Sequence, residues 1–182
     1  MAAPGTYVLG PADGELTVVT GKGGAAARAA HDLTIAVRRW EATVQLADDP
    51  ADTTMSLTAD AHSLRVLEGT GGMSALDEDD KAGISQTIDD EVLQGVTISF
   101  HSTSVSGDGG SGRLHVRGDL ELGGSINPIE FALTVASDGR LTATATVTQS
   151  AHGIKPYTAL FGTLKVSDDV RVSIDARLGD PS

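Results

Sequence analysis

The stretch RLHVRGDLELGGSINPIEFALTV, residues 113–135, decides the fold, because apolar and polar side chains alternate along most of it. Leu114, Val116, Leu120 and Leu122 share one parity, and mostly charged residues occupy the positions between them. Successive side chains of a β-strand point to opposite faces of the sheet. Each half of the stretch therefore predicts a strand with one dry and one wet face, and the Gly/Ser-containing turn between them predicts an antiparallel hairpin.

The same alternation continues on both sides of this hairpin, which extends the prediction to an antiparallel meander. A parity change at Arg38-Arg39 predicts a β-bulge inside one strand. The total is about eight strands, enough for an antiparallel barrel that removes both exposed edges. The further candidate strands are residues 6–20 (one strand or a bent pair), 33–46, 54–66, 141–148 and 170–178, and one that starts at Val96.

One α-helix is predicted near residues 76–93. Ser74 followed by Asp77 resembles a capping box, and a run of acidic residues at 77–80 suits the positive end of a helix dipole. Apolar residues then recur every four positions, which makes a narrow stripe that must pack against the sheet. The stripe consists of Ile84, Ile88 and Val92.

Length and charge restrict the class of protein. A chain of 182 residues without cysteine predicts one domain, residues 1–182, with its own core and no disulfides. The net charge of -12 and the lack of any Lys/Arg cluster argue against a nucleic-acid partner and against anionic membranes. We find neither a signal peptide nor an apolar run of the ~20 residues that span a bilayer, so we expect a soluble, cytoplasmic protein.

An eight-stranded barrel is either filled by side chains or holds one small ligand. Only 3% of the residues are aromatic, and the dry faces carry Ala59, Ala61, Ala143, Ala145 and Ala176, which would leave room inside. Because protein interiors pack densely by default, a filled barrel with the helix as a plug stays open as the alternative.

The C-terminal two-thirds of the chain resembles the YceI-like, lipocalin-like polyisoprenoid-binding family. The resemblance lies in KAGISQTIDDEVLQGVTISFHSTSV (residues 81–105), GRLHVRGDLELGGSINPIEFALTV (112–135) and TQSAHGIKPYTALFGTLKVSDDVRVSIDARL (148–178). It implies an eight-stranded antiparallel barrel with a helix near its mouth and an elongated apolar cavity. Family members of known ligand hold a long isoprenoid chain, such as a quinone tail or a polyprenyl alcohol or phosphate.

Two sets of residues are candidate ligand contacts. The inward apolar positions would form the wall around a lipid tail, although an ordinary core position is the favoured interpretation for any single one of them, and only the family resemblance favours the set: Trp40, Val44, Leu57, Ile98, Phe100, Phe131, Leu133, Ala143 and Ala145. The polar candidates for a head group are His31, His152, Lys155 and Tyr157, for which separate surface histidines and a proline-fixed corner are the structural alternatives.

No motif predicts a metal or a cofactor. The five histidines lack metal-ligand spacing, the Gly21-Lys22-Gly23-Gly24 segment lacks the order of a phosphate-binding loop, and the acidic run lacks calcium-loop spacing. Our first hypothesis is therefore a non-enzymatic protein that binds, sequesters or transports an isoprenoid or other long-chain lipid. An enzyme using His31, His152 or Lys155 and a ligand-free interaction domain are the alternatives, and a homodimer is left open.

Overall fold

Twelve β-strands and one helix make up the part of the chain that the computed structural model describes, residues 2–24, 27–108, 110–159 and 164–181. The strands are β1 (Gly5–Leu9), β2 (Gly14–Gly23), β3 (His31–Val37), β4 (Trp40–Leu46), β5 (Thr54–Asp60), β6 (Leu64–Gly71), β7 (Thr97–Asp108), β8 (Arg113–Leu122), β9 (Ser125–Val135), β10 (Arg140–Thr148), β11 (Thr158–Ala159) and β12 (Leu164–Arg177). Helix α1 spans Glu78–Thr87 and continues as a π-helical turn over Ile88–Leu93.

All the strands belong to one curled antiparallel sheet, in the order β1-β4-β5-β7-β8-β9-β10-β12-β2-β3-β6, with β11 paired to β12. The meander expected from the sequence is present, since β7, β8, β9 and β10 are neighbours in chain order. Within the described ranges, the hydrogen-bonded order ends at β1 and β6, so the sheet does not close on itself, and the prediction that both edges are removed is wrong. Short 3₁₀ turns connect some of the strands, at Ala27–Ala29, Pro50–Asp52, Ala61–Ser63 and Gln149–His152.

The prediction of eight strands is wrong, because three of the predicted runs bend and split. Residues 6–20 form β1 and β2, residues 33–46 form β3 and β4, and residues 54–66 form β5 and β6. The two halves of a run then pair with different neighbours: β3 lies between β2 and β6, whereas β4 lies between β1 and β5. Local alternation cannot reveal such a division, since both halves keep a dry and a wet face.

The predicted β-bulge at Arg38-Arg39 is also wrong, because this dipeptide is the corner between β3 and β4. The backbone N–H of Arg38 donates to the Ser63 carbonyl oxygen at 3.1 Å, and that of Arg39 donates to Ser63 Oγ at 3.0 Å. Ser63 thus takes the donors that a continuous strand would give to its neighbour. Register shifts occur elsewhere, in β12 between Val166 and Val170 and in β7 between Ser102 and Ser104.

The helix begins later than predicted and uses a different cap. Asp77 is the N-cap: its Oδ1 accepts the Asp80 N–H at 2.8 Å, and Asp80 Oδ2 accepts the Asp77 N–H at 3.2 Å. The predicted capping box of Ser74 and Asp77 is therefore wrong, and the capping box consists of Asp77 and Asp80. Asp80 takes the third helical position, where Glu is more common. The π-helical turn ends at Gln94, whose φ of 50° lies in the left-handed region.

The apolar core runs along the inside of the curled sheet, and we call the end at which its side chains leave no cavity the packed end. Leu9, Val116, Val135 and Leu141 are among its most deeply buried side chains, each less than 2% exposed. Strands β1 and β4 close this end, with Tyr7 of β1 facing Val44 of β4 in the ladder. The other end, where α1 lies, is the helix end.

Candidate functional site

A cavity of about 570 Å³ lies inside the curled sheet towards the helix end. Its lining comes from strands β2, β3, β5 to β10 and β12, together with α1 and the π-helical turn, so the sheet wraps around it. A volume of this size falls within the range of small-molecule and lipid pockets in proteins, ~300–1,000 Å³. The apolar part of the lining includes Leu16, Val18, Leu33, Ile35, Val37, Leu57, Leu64, Ile98, Leu120, Leu122, Ile129, Val166, Val170, Val172 and Ile174.

The cavity and the core share the same inward-facing rows of side chains. On β9, Ile129 and Phe131 line the cavity, whereas Leu133 and Val135, the next inward residues, are buried in the core. The same change occurs along β8, β10 and β12. The interior is thus hollow towards the helix end and filled at the packed end. The interpretation of a filled barrel is therefore correct only for the packed end, and the helix lines the cavity instead of filling the interior.

Two aromatic rings mark the boundary between these halves, and we call Phe100 and Phe131 the floor of the cavity. Their ring centroids lie 5.5 Å apart with an interplanar angle of 54°, a tilted arrangement that aromatic pairs favour. Gly118 of β8 gives the Phe100 ring its space, since a Cβ at this position would lie about 2.5 Å from Phe100 Cζ. A side chain at position 118 would force that ring to move.

Helix α1 and its π-helical continuation cover the opposite side of the cavity. Ile84, Ile88 and Val92, the stripe seen in the sequence, all line the cavity. Two polar contacts hold this covering segment to the sheet. Ser85 Oγ accepts the backbone N–H of Val66 in β6 at 2.9 Å, and His62 Nδ1 lies 2.5 Å from Asp89 Oδ1.

Polar groups enter the lining only in small numbers. Asp79, Asp80 and Thr87 come from α1, and the remainder are Thr20, Gln149 and Tyr157. Two of these side chains make hydrogen bonds within the protein. Thr20 Oγ1 accepts the Leu33 N–H at 3.2 Å, and Gln149 Nε2 donates to the Ser167 carbonyl oxygen at 2.9 Å. No buried side-chain N or O atom in the described ranges lacks a hydrogen-bond partner.

The structure places six of the nine predicted tail-contact residues in the cavity lining: Leu57, Ile98, Phe100, Phe131, Ala143 and Ala145. Trp40, Val44 and Leu133 are buried in the core instead. Strand β4, which carries Trp40 and Val44, contributes no described residue to the lining. An inward-facing position is therefore not sufficient to place a residue in the cavity lining. Its position along the strand, towards the helix end or the packed end, matters as well.

Of the polar candidates, Tyr157 lines the cavity and the other three do not. His31 Nε2 lies 2.7 Å from the Ser74 carbonyl oxygen, outside the lining. His152 is buried with Nδ1 3.4 Å from the Ser125 carbonyl oxygen, and Lys155 is exposed. The Gly-Ile-Lys-Pro-Tyr run, residues 153–157, is described, but residues 160–163 of the same stretch lie outside the described residues.

Sequence reasoning missed a large part of the lining. Leu16, Val18, Ile35, Val172 and Ile174 belong to alternating strands that were recognised, yet they were left out of the candidate site. Their inward-facing parity along these strands was the signal that could have identified them as lining residues. The helical contribution was also missed, although the four-residue spacing of its apolar stripe already required a partner surface.

The acidic groups with clearly shifted pKa values lie on the outer surface. Hydrogen bonds from Arg39, Ser150 and Arg140 lower the pKa of Asp60, Asp168 and Asp175, respectively. None of these carboxylates belongs to the described cavity lining.

Across the described ranges, no group of three or more His, Cys, Asp or Glu side chains is arranged to hold a metal ion. In the same ranges, no helix has the length and apolar character needed to cross a membrane.

Comparison with known proteins agrees with this architecture. The crystal structure of Burkholderia cenocepacia BcnA superimposes with a TM-score of 0.62 and 18% sequence identity, covering 89% of this chain and 94% of that one. At this identity the similarity concerns the fold alone. No curated protein matches the chain. The model of the YceI-like domain matches residues 7–178, nearly the whole sequence. The chain therefore belongs to the YceI-like domain family.

Proposed function

We propose that this protein binds and carries an amphiphilic isoprenoid-type lipid, with the apolar chain in the cavity and the head group beside α1. The observation that carries the proposal is the cavity itself, about 570 Å³ in volume and lined mostly by aliphatic and aromatic side chains. Family membership supports the chemical class, because YceI-like proteins bind polyisoprenoids and are generally binding proteins rather than enzymes.

The driving force would be removal of a branched apolar chain from water. Burial of apolar surface contributes about 25 cal/mol per Å², from which the costs of association and of ordering the chain must be subtracted. The lining suits such a ligand because its Leu, Ile and Val side chains offer no competing hydrogen bonds. The few polar groups at α1 and at Tyr157 would fix the orientation of the head group.

Small side chains on β10 make a specific test available. Ala143 and Ala145 line the cavity, so a phenylalanine at position 145 should occupy the space that the lipid needs. Ala132 on β9 is exposed and provides the matched control, since Ala132→Phe adds the same ring to the outer face. We expect both variants to fold, because the added ring at position 145 has a void to enter.

The experiment is native mass spectrometry of the protein before and after extraction with organic solvent, followed by uptake of a ubiquinone analogue or a prenol. The proposal predicts a co-purified or re-acquired lipid in the wild type and in Ala132→Phe, and strongly reduced uptake in Ala145→Phe. A wild-type protein that neither carries nor takes up such a lipid would overturn the proposal. Equal uptake by the two variants would show that the lipid binds elsewhere.

A further inference from the structure

We infer that the helix end of the cavity selects against anionic head groups, so that the bound lipid carries an uncharged or cationic head rather than a phosphate. This inference rests on the proposed function, which it narrows to one class of isoprenoid lipid. It comes from the charges that the described part of the chain places around the cavity.

The only charged residues in the described lining are Asp79 and Asp80, both in the first turn of α1. No lysine, arginine or histidine is among the described lining residues. The positions that the structure does not describe are Met, Ala, Gly, Leu, Phe, Thr and Ser in the sequence, and none of these side chains is cationic. A head group beside α1 thus meets carboxylates without an opposing cation in the lining.

Two lysines near this end are directed to other partners, and Lys155, which lies in sequence between the lining residues Ile154 and Tyr157, is exposed and outside the described lining. Lys22 Nζ lies 3.6 Å from Asp32 Oδ2 and donates to the Ala30 carbonyl oxygen at 3.3 Å. Lys81, on α1 itself, has its Nζ 2.7 Å from Glu78 Oε1. Recruiting either cation to a phosphate would first require breaking its present contacts.

The N-terminus of α1 would ordinarily attract an anion, because its free N–H groups and the helix dipole are both positive. In this protein, Asp77 and Asp80 form a capping box at this N-terminus. The Asp77 side chain accepts the Asp80 N–H, and the Asp80 side chain accepts the Asp77 N–H. The protein's own carboxylates thus take one of the first N–H groups of the helix, that of Asp80, and add negative charge where an anion would approach.

The expected effect is large enough to measure. A tenfold change in affinity corresponds to about 1.4 kcal/mol. This value lies between the repulsion of two like charges about 4 Å apart in water and their stronger repulsion near a protein surface. A diphosphate carries more than one charge, so about tenfold is a lower expectation. The net charge of the whole chain, -12, acts in the same direction at longer range.

The test compares farnesol with farnesyl diphosphate, which share one chain and differ only in the head group. Equilibrium dissociation constants are measured by isothermal titration calorimetry below the aggregation concentration of either probe. The wild-type protein should bind farnesol at least about tenfold more tightly than the diphosphate. In Asp79→Lys the ratio of the two constants should fall by about the same factor.

Glu41→Lys is the matched control, since Glu41 is exposed on the outer face of β4 and the substitution changes the net charge equally. This control should leave the ratio close to that of the wild type. Equal or tighter binding of the diphosphate by the wild type would overturn the inference while the proposed function stands. A ratio that falls equally in Glu41→Lys and Asp79→Lys would also overturn it, because long-range charge would then explain the selectivity. Binding of neither probe would overturn the proposed function itself.

Discussion

Ser85 Oγ accepts a hydrogen bond from the backbone N–H of Val66 at 2.9 Å, and its own hydroxyl donates to the Lys81 carbonyl oxygen at 2.7 Å. Val66 lies in β6, an edge of the sheet order, so this N–H would otherwise face α1 without a strand partner. One buried side chain therefore covers the strand edge and holds the helix over the cavity.

Replacing Ser85 with alanine should loosen this attachment. The Val66 N–H would lose its partner in a buried place, at a cost of about 1–3 kcal/mol in the free energy of unfolding. Hydrogen exchange gives the decisive measurement: the Val66 amide and the amides of α1 should exchange faster, with little change in β8 and β9. Gln86→Ala, an exposed change on the same helix, is the control. Unaltered protection of the Val66 amide would refute this role of Ser85.

His62 provides a second attachment, since its Nδ1 lies 2.5 Å from Asp89 Oδ1 in the π-helical turn. We expect His62→Ala to speed lipid release about threefold, a modest effect because the pair is partly exposed. The measurement is the transfer rate of bound lipid to acceptor vesicles. His115→Ala, which removes an exposed histidine from the outer face of β8, should not change that rate. Equal rates in the wild type and His62→Ala would argue that the helix does not open at this contact.

The floor should limit the length of the bound chain. Phe131→Ala removes one of its two rings and should extend the cavity, so that a longer prenol binds than in the wild type. Because Phe131 is only partly buried, the loss of stability should be smaller than the ~3–5 kcal/mol that truncation of a fully buried phenylalanine costs. The readout is the longest of geraniol, farnesol and geranylgeraniol that the protein retains in native mass spectrometry.

Val135→Ala is the control for the floor, because it opens a void deep in the packed end, where Val135 is 1% exposed. It should lower stability without changing the longest chain bound. If Phe131→Ala and the wild type retain the same set of prenols, the floor does not set the length.

A substitution at Gly118 would add a side chain beside the floor, whereas Phe131→Ala removes one. A Cβ at this position would lie 2.4 Å from the His101 carbonyl oxygen and 2.4 Å from the Phe100 ring. Gly118→Ala should therefore displace both the β7 backbone and that ring and cost about 1–3 kcal/mol of stability, the usual range for overpacking. We expect weaker lipid binding in Gly118→Ala that is partly restored in the double variant Gly118→Ala/Phe100→Leu. Denaturant titration and calorimetry measure the two effects. An absence of any rescue would show that the glycine acts through the backbone alone.

The outer ion pair between Arg140 and Asp175 predicts an acid-dependent loss of stability. The hydrogen bonds from Arg140 lower the pKa of Asp175 below its usual value of 3.8. A lowered folded-state pKa contributes stability that is present above the unfolded-state value and disappears as the pH falls through the folded-state value.

Asp175→Asn should therefore lower stability slightly at neutral pH, and its difference from the wild type should vanish as the pH falls below about 4. The effect is small because both side chains are exposed, and 1 M salt should reduce it further. Thermal unfolding between neutral and acid pH measures the difference. A difference that grows towards acid pH would contradict the sign.

The sequence predicted the inward rows of the sheet because alternation is a local property. It could not predict where the cavity ends along those rows. Phe131 and Leu133 share one parity on β9, yet only Phe131 lines the cavity. The packed end also contains side chains of β1 and β4, and the pairing of β1 with β4, from Gly5 to Leu46, is distant in sequence.

The strand number escaped prediction for a similar reason. The corner at Arg38-Arg39 is fixed by Ser63, which lies on another run of the chain. By contrast, the helix and its apolar stripe were predictable from four-residue spacing. The charge character of the helix end was visible as the acidic run at residues 77–80, but only the structure places Asp79 and Asp80 beside the cavity.

A crystal structure of the protein saturated with farnesol would show whether the cavity inside the curled sheet holds the lipid. We expect elongated density in that cavity, with the chain against Phe100 and Phe131 and the hydroxyl beside α1. An interior closed by protein side chains, with farnesol bound only on the outer surface or not at all, would contradict it.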